Sequence, residues 1–246
     1  MPTVAIVLAA GKGSRMNSDL AKVLHLAAGR PLILWMLNTL ADAEIHDVAV
    51  VVGHQADQVR AVLPDDVKTP LQRDQNGTGH ATSVGLTAFD AVPETVLVLP
   101  GDMPLIRPAT LRSLLDAHRT SGAAATVLSV LAENPTGYGR LIHSNGELVA
   151  IVEEGDATQD QRTIKEVNTS VIVFHGETLL KALEGLDTEN SQGELYLTDV
   201  IAVLHEAGHT LRSYITDAEE GFGVNSVRQL EVATSILSRR RQSNTD

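Results

Sequence analysis

Along the first half of the chain, short unbroken apolar runs alternate with stretches in which apolar residues recur every three or four positions. Residues 3–9 form such a run, rich in Val and Ile, and lead straight into a Gly-rich turn. A run without polar alternation is the pattern of a parallel strand buried on both faces. Residues 31–43 then carry Leu32, Trp35, Met36 and Leu40 at helical spacing, with Pro31 suited to a first helical turn. The alternation continues: a strand at 48–52, a helix at 55–63, a short strand at 67–71, a helix at 77–91, a strand at 95–99, a helix at 108–121 and a strand at 124–130. Repeated strand and helix units of this kind predict an α/β protein with a parallel sheet.

The pattern changes after residue 130. Residues 139–142 and 147–153 flank Asn145-Gly146, a strong signal for a tight hairpin, so this part is expected to be antiparallel. A strand at 167–174, a helix at 194–206, a strand at 209–215 and a closing helix at 226–241 complete the reading. No internal repeat, linker or low-complexity segment interrupts it, and residues 242–246 are expected to fray. The Arg239 to Arg241 run faces the negative end of the last helix, which explains it without a binding role.

A length of 246 residues supports a buried core in one large domain. The 31 acids against 19 Lys and Arg give a formal net charge of −12, which repels a phosphate backbone and argues against nucleic acid as partner. The absence of cysteine excludes disulfides, thiolate chemistry and thiolate-zinc sites. The first apolar run has no positive segment before it and falls far short of the roughly 20 residues of a membrane span, so it reads as a strand and the protein as cytoplasmic, with no membrane partner.

The chemistry is expected at the carboxyl end of the first strand. Leu8-Ala9-Ala10-Gly11-Lys12-Gly13-Ser14-Arg15-Met16 offers backbone N–H groups, glycines that permit close approach, and two cations for phosphate oxygens. Two familiar phosphate loops do not fit. A P-loop needs Gly where this chain has Ile6 and Ser or Thr directly after Lys12. A dinucleotide fingerprint needs Gly or Ala where Met16 stands.

With Lys22 in Asp19-Leu20-Ala21-Lys22-Val23-Leu24, this loop resembles the signature of the sugar-1-phosphate nucleotidyltransferases, and most closely their bacterial N-acetylglucosamine-1-phosphate uridylyltransferase domains. Ser14 stands where the family usually has Thr, and Ala21 where it usually has Pro. The resemblance recurs in order along nearly the whole chain: Leu71-Gln72 with Gly77 to Ala81, Gly101-Asp102-Met103-Pro104-Leu105, Tyr138-Gly139-Arg140, Val152-Glu153-Glu154, Glu166 to Thr169, Gly193 to Asp199, and Gly223-Val224-Asn225-Ser226.

The resemblance implies a Rossmann-like nucleotide-diphospho-sugar transferase fold. Residues 1–130 would mainly bind nucleotide, 131–225 mainly sugar, and 226–241 would close the domain. It implies that Arg15, Lys22 and Asp102 serve catalysis, that Leu8, Ala9, Ala10, Gly11, Lys12 and Gly13 hold the triphosphate, and that Gln72, Gly77 and Thr78 meet the uracil. It further implies that Gly139, Glu153, Asn168 and Thr169 meet the sugar, and that Asp102 and Asn225 hold Mg²⁺ with the phosphates. Hard oxygen donors suit that ion. Asn is also a favoured helix cap, so Asn225 can start the last helix as well.

The implied reaction takes UTP and N-acetylglucosamine 1-phosphate to UDP-N-acetylglucosamine, a cell-wall precursor, and pyrophosphate. Another sugar-1-phosphate, another nucleotide, or a non-catalytic nucleotide-sugar-binding module are the alternatives. Family members that also acetylate continue into a β-helix; none is expected within this chain, and a monomer is expected without it. His205-Glu206-Ala207-Gly208-His209 matches the zinc-protease pattern HExxH, but Gly208 reads as a helix stop that puts His209 beyond the helix.

Overall fold

The computed structural model describes residues 3–13, 16, 18 and 20–243. The strands are β1 (Thr3–Ala9), β2 (Leu26–Ala27), β3 (Arg30–Pro31), β4 (Asp47–Val52), β5 (Thr95–Pro100), β6 (Ala125–Leu131), β7 (Arg140–Ser144), β8 (Glu147–Val152), β9 (Glu166–His175) and β10 (Leu211–Ile215). The helices are α1 (Leu32–Asp42), α2 (Ala56–Arg60), α3 (Thr78–Leu86), α4 (Pro108–Ser121), α5 (Gly176–Glu184), α6 (Asp199–Glu206) and α7 (Val227–Ser243).

The main sheet runs in the order β10-β6-β9-β5-β1-β4, with β7 and β8 attached beside β9. β1 lies parallel to both β4 and β5, and β10 parallel to β6. β9 is inserted antiparallel between β5 and β6. Alternate residues of β1 feed opposite faces. Ala5 and Val7 pack with Ile33 and Met36 of α1 and Leu111 and Leu114 of α4, while Val4 and Ile6 pack with Ala81 of α3, Leu179 of α5 and Ile201 of α6. Both faces are therefore covered, which is why the strands read as continuous apolar runs. α7 packs through Ala233, Ile236 and Leu237 against Ala27, Leu32 and Leu105.

Three expectations are corrected. The strand at 67–71 reduces to two isolated parallel bridges, Ala49 to Lys68 and Val52 to Leu71, because Pro70 lacks the N–H that a continuous ladder requires. The helix expected from residue 194 begins at Asp199. Residues before it instead lie along the start of α3: Leu195 N donates to Asn76 O (2.9 Å), Gly79 N to Leu195 O (2.8 Å) and Leu197 N to Thr78 Oγ1 (2.9 Å). Finally, α5 follows β9 without a break and is absent from the pattern reading; it buries Leu179, Ala182 and Leu183.

The hairpin does form between β7 and β8, with Asn145 at φ 53° and Gly146 at φ 82°. Left-handed values at both central residues are those of a type I′ turn.

Candidate active site

The orientation of the strands gathers the candidate residues on one edge of the sheet. β1, β5 and β8 end there, and the antiparallel β7 and β9 begin there. Residues 8–13 and Asp102 lie at or just past strand ends, Glu153 directly follows β8, Gly139 precedes β7, and Asn168 and Thr169 open β9. In open α/β sheets this carboxyl edge is where ligands sit.

Asp102 is 5% exposed in the turn after β5. Its backbone carbonyl accepts from Val224 N (2.9 Å), a bond that brings the 223–226 turn alongside it. Lys22 then meets both segments: its Nζ forms an ion pair with Asp102 Oδ2 and donates to Asn225 Oδ1 at 2.7 Å. Two hard oxygens, from positions far apart in the sequence, thus converge on one cation. Ser226, not Asn225, caps α7: Gln229 N donates to Ser226 Oγ (3.3 Å), and Asn225 N donates to Gln229 Oε1 (2.8 Å). This corrects the expectation that Asn225 doubles as the cap and leaves its side chain facing Lys22.

Beside this cluster opens a cleft of about 470 Å³ whose lining includes Lys22, Asp102, Gly139, Glu153, Asn168 and Thr169. Its wall is braced from outside. The side chain of Arg140, 1% exposed, pairs with Glu154 (2.6 Å) and donates to Tyr138 O, while Gly137 N donates to the same Glu154 carboxylate (3.0 Å). The Arg140 hydrogen bond, seconded by Gly137 N–H, holds the Glu154 carboxyl below its ordinary range. Asn168 N donates to Gly139 O (2.8 Å), tying this loop to β9.

The start of β9 is irregular where it faces the cleft. Ser170 has φ 65°, Asn168 Oδ1 accepts from Ser170 N (2.8 Å), and the register with β6 shifts between Val127 and Ser129. Bulges of this kind re-aim side chains next to functional sites. Thr169 Oγ1 donates to Leu128 O (2.7 Å), so its hydroxyl fixes the bulge from within. Glu153 accepts from Thr198 Oγ1 (3.1 Å); burial nonetheless pushes its carboxyl above the ordinary value.

The base-site candidates form a separate group. Gln72 is 3% exposed, and its Nε2 donates to Gly77 O at 3.1 Å. Gly77 has φ 99°, and a Cβ there would stand 2.5 Å from Leu195 O. Only glycine lets the 194–198 segment cross so close to the start of α3. Thr78 is occupied by that segment through its hydroxyl, which accepts from Leu197 N. In the phosphate loop, Gly11 and Lys12 are exposed, while Ala9 and Ala10 are buried. Gly13, at φ 61°, folds back over Lys22, whose Cβ would lie 2.6 Å from a Cβ at position 13. Arg15 and Ser14 lie outside the described residues.

The sequence profile of the MobA-like NTP transferase domain family matches residues 5–202. The chain belongs to that family. It is 46% identical over 245 residues to the bifunctional protein GlmU of Corynebacterium aurimucosum, covering 96% of this chain and 50% of that protein. It is 43% identical over 242 residues to the GlmU of Lactococcus lactis subsp. lactis, covering 98% and 53%. The chain thus spans about half the length of the curated relatives it matches. A UDP-glucose pyrophosphorylase structure complexed with UDP-glucose superposes with TM-score 0.80 at 16% identity over 98% of this chain and 100% of the other, which shows the shared fold.

Residues that pattern reading did not single out brace the candidate site: Gln55, Arg140 and Glu154 beyond their motif places, Thr198, and Ser226 with Gln229. Each pairs with a group distant in sequence or serves as a local cap, and only the S-x-x-Q spacing of Ser226 and Gln229 was a readable signal. The HExxH segment divides as expected. α6 ends at Glu206, Gly208 has φ 79°, and His209 lies past the helix. Among the described residues no group of three or more His, Cys, Asp or Glu is placed to hold a metal, and no helix is long and apolar enough to cross a membrane.

Asp199, at the start of α6, carries an energetic cost. Burial first, then the charges of Asp187 and Asp156, raise its pKa from 3.8 to about 6. A carboxyl raised in the folded state contributes its full stability below pH 3.8 and loses it as pH rises through about 6. Asp199→Asn is therefore expected to raise Tm by roughly 2–4 °C at pH 8, with the gain shrinking to nothing by about pH 4, as thermal unfolding across that range will show. An equal gain at both pH values would refute the assignment.

Proposed function

We propose that this chain transfers a uridylyl group from UTP to N-acetyl-α-D-glucosamine 1-phosphate, giving UDP-N-acetylglucosamine and pyrophosphate. The observation that carries the reading is the meeting of Lys22, Asp102 and Asn225 at the sheet edge, beside a cleft lined by Gly139, Glu153, Asn168 and Thr169. A site built only to bind a nucleotide sugar has no need of that cation and oxygen cluster. Residues 1–130 supply most of the nucleotide contacts, residues 131–225 most of the sugar contacts, and α7 closes the domain.

No side-chain nucleophile is needed. A sugar-1-phosphate oxygen is already anionic and attacks the α-phosphorus of UTP; the bond from that phosphorus to the bridging oxygen breaks, and its electrons leave with pyrophosphate. Catalysis is alignment and charge stabilisation. The convergence of Asp102 Oδ2 and Asn225 Oδ1 on the Lys22 ammonium supports reading them as a donor pair suited to a hard cation, and those two residues would hold Mg²⁺. When bound, the ion supplies positive charge to the phosphates.

Lys22 exchanges its carboxylate partner for a phosphate oxygen, and Lys12 and Arg15 meet the leaving pyrophosphate. Residues 8–13 bring backbone N–H groups to the triphosphate, with Gly11 and Lys12 already exposed. The Gln72 amide, anchored by Gly77 O, offers its carbonyl to a base N–H, and Gly77 and Thr78 shape the turn beneath the ring. Buried polar groups such as Asn168 and Glu153 select a sugar by penalising any ligand that leaves them unpaired.

A pyrophosphate-release screen of UTP, CTP, GTP, ATP and dTTP against several sugar-1-phosphates with Mg²⁺ tests this directly. Release is expected to be fastest with UTP and N-acetylglucosamine 1-phosphate. No release from that pair, or faster release from another, overturns the assignment.

A further inference from the structure

We propose that Gln55 is a positioning residue that aims Lys22 by holding the backbone immediately before it; this rests on Lys22 being the phosphate-holding cation described above. Gln55 follows β4 and has φ 53°, in the left-handed region that a residue with a long side chain enters only at a cost. In that conformation its Oε1 accepts from Ala21 N at 2.6 Å, across 34 positions of sequence. Ala21 is wholly buried, so its N–H requires a partner.

What Ala21 leads into makes this bond consequential. Lys22–Leu24 is a single 3-10 turn, closed by Leu24 N to Ala21 O (2.9 Å) and His25 N to Lys22 O (3.3 Å). So short a turn has little stability of its own, and its direction is set by whatever holds its ends. Gln55 holds the first of them. The neighbouring residue reaches the other half of the site, since His54 N donates to Ala10 O (3.0 Å) in the phosphate loop. Residues 54 and 55 therefore fix the two phosphate-facing segments relative to each other. Ala21 itself has φ −53°, a value proline also adopts, so the side-chain bond supplies here the restraint that a ring would give.

Gln55→Gly and Gln55→Glu separate positioning from mere packing. Glycine adopts a positive φ freely but removes the acceptor of the buried Ala21 N–H, so Tm should hold or fall by a few degrees while kcat falls about tenfold, with KM for UTP within about twofold of the parent. Glutamate keeps an acceptor and should stay within about threefold of the parent kcat. In a Lys22→Ala background, Gln55→Gly should cost less than about twofold more, because the group it positions is gone.

Amide exchange at Ala21 in the ligand-free protein should rise about tenfold in Gln55→Gly, a readout that does not need turnover. Unchanged exchange, an unchanged kcat in Gln55→Gly, or an equal further loss in the Lys22→Ala background overturns the role of Gln55. Failure of the unmodified chain to release pyrophosphate, with exchange altered as expected, overturns the functional reading of the site instead and leaves the brace itself intact.

Discussion

Asp102→Ala is expected to lower turnover by about a thousandfold, roughly 4 kcal/mol of transition-state stabilisation. Two losses combine. Among the described residues the carboxylate and the Asn225 amide oxygen meet the Lys22 ammonium at the sheet edge, so removal of the carboxylate dismantles the cation site. It also strips Lys22 of its charge partner in a place where Asp102 is nearly out of solvent. The bond from Val224 N to the Asp102 backbone carbonyl is untouched by the change, so the 223–226 turn should stay in place and the fold with it. The measurement is steady-state pyrophosphate release alongside far-UV circular dichroism and Mn²⁺ binding followed by electron paramagnetic resonance. A folded variant that retains turnover near the parent rate, or that binds Mn²⁺ as tightly, removes Asp102 from the site.

The parallel part of the fold was legible because burial on both faces leaves no polar alternation, as in β1, β4 and β5. The hairpin was legible because Asn145-Gly146 permits the two left-handed residues that a tight turn demands. The place of β9 was not. An antiparallel strand buried between β5 and β6 has the same apolar run as a parallel one, and nothing local records its direction or neighbours. Residues 194–198 read as the start of a helix because their apolar spacing suits one, yet their backbone is used by Asn76, Thr78 and Gly79. A contact across more than a hundred positions overrides local propensity there.

The candidate site divides in the same way. Asp102 stands out because an acid at a strand end marks a place where chemistry is exposed, whereas Lys22, Gly77 and Glu153 are legible through the resemblance of their segments to the family's motifs. Their supports look like solvated loop residues. Glu154 reads as the polar end of a strand until Arg140 is seen buried against it, and Gln55 reads as the start of a helix until its φ and its bond to Ala21 are known. Ala21 stands where the family's motif usually has Pro, and alanine lacks the ring that would fix φ there. The hydrogen bond that Ala21 N donates to Gln55 Oε1 restrains that position by other means.

Lys22→Ala should produce two effects of opposite sign, and both follow from the double engagement of its ammonium. Turnover should fall by about a hundredfold or more, since the cation that meets the phosphates is lost. Mn²⁺ binding to the nucleotide-free protein should instead tighten by about fivefold, because the ammonium otherwise competes for Asp102 Oδ2 and Asn225 Oδ1. The variant also leaves a buried carboxylate without its partner, a cost that an added divalent ion relieves. Mg²⁺ should therefore raise the Tm of Lys22→Ala more than that of the parent. Weaker Mn²⁺ binding in the variant would mean that Lys22 supports the ion site instead of sharing it, and undiminished turnover would deny it any part in catalysis. With both effects present, Lys22 holds the two oxygens together until the phosphates arrive, and its exchange from carboxylate to phosphate opens the site to the ion.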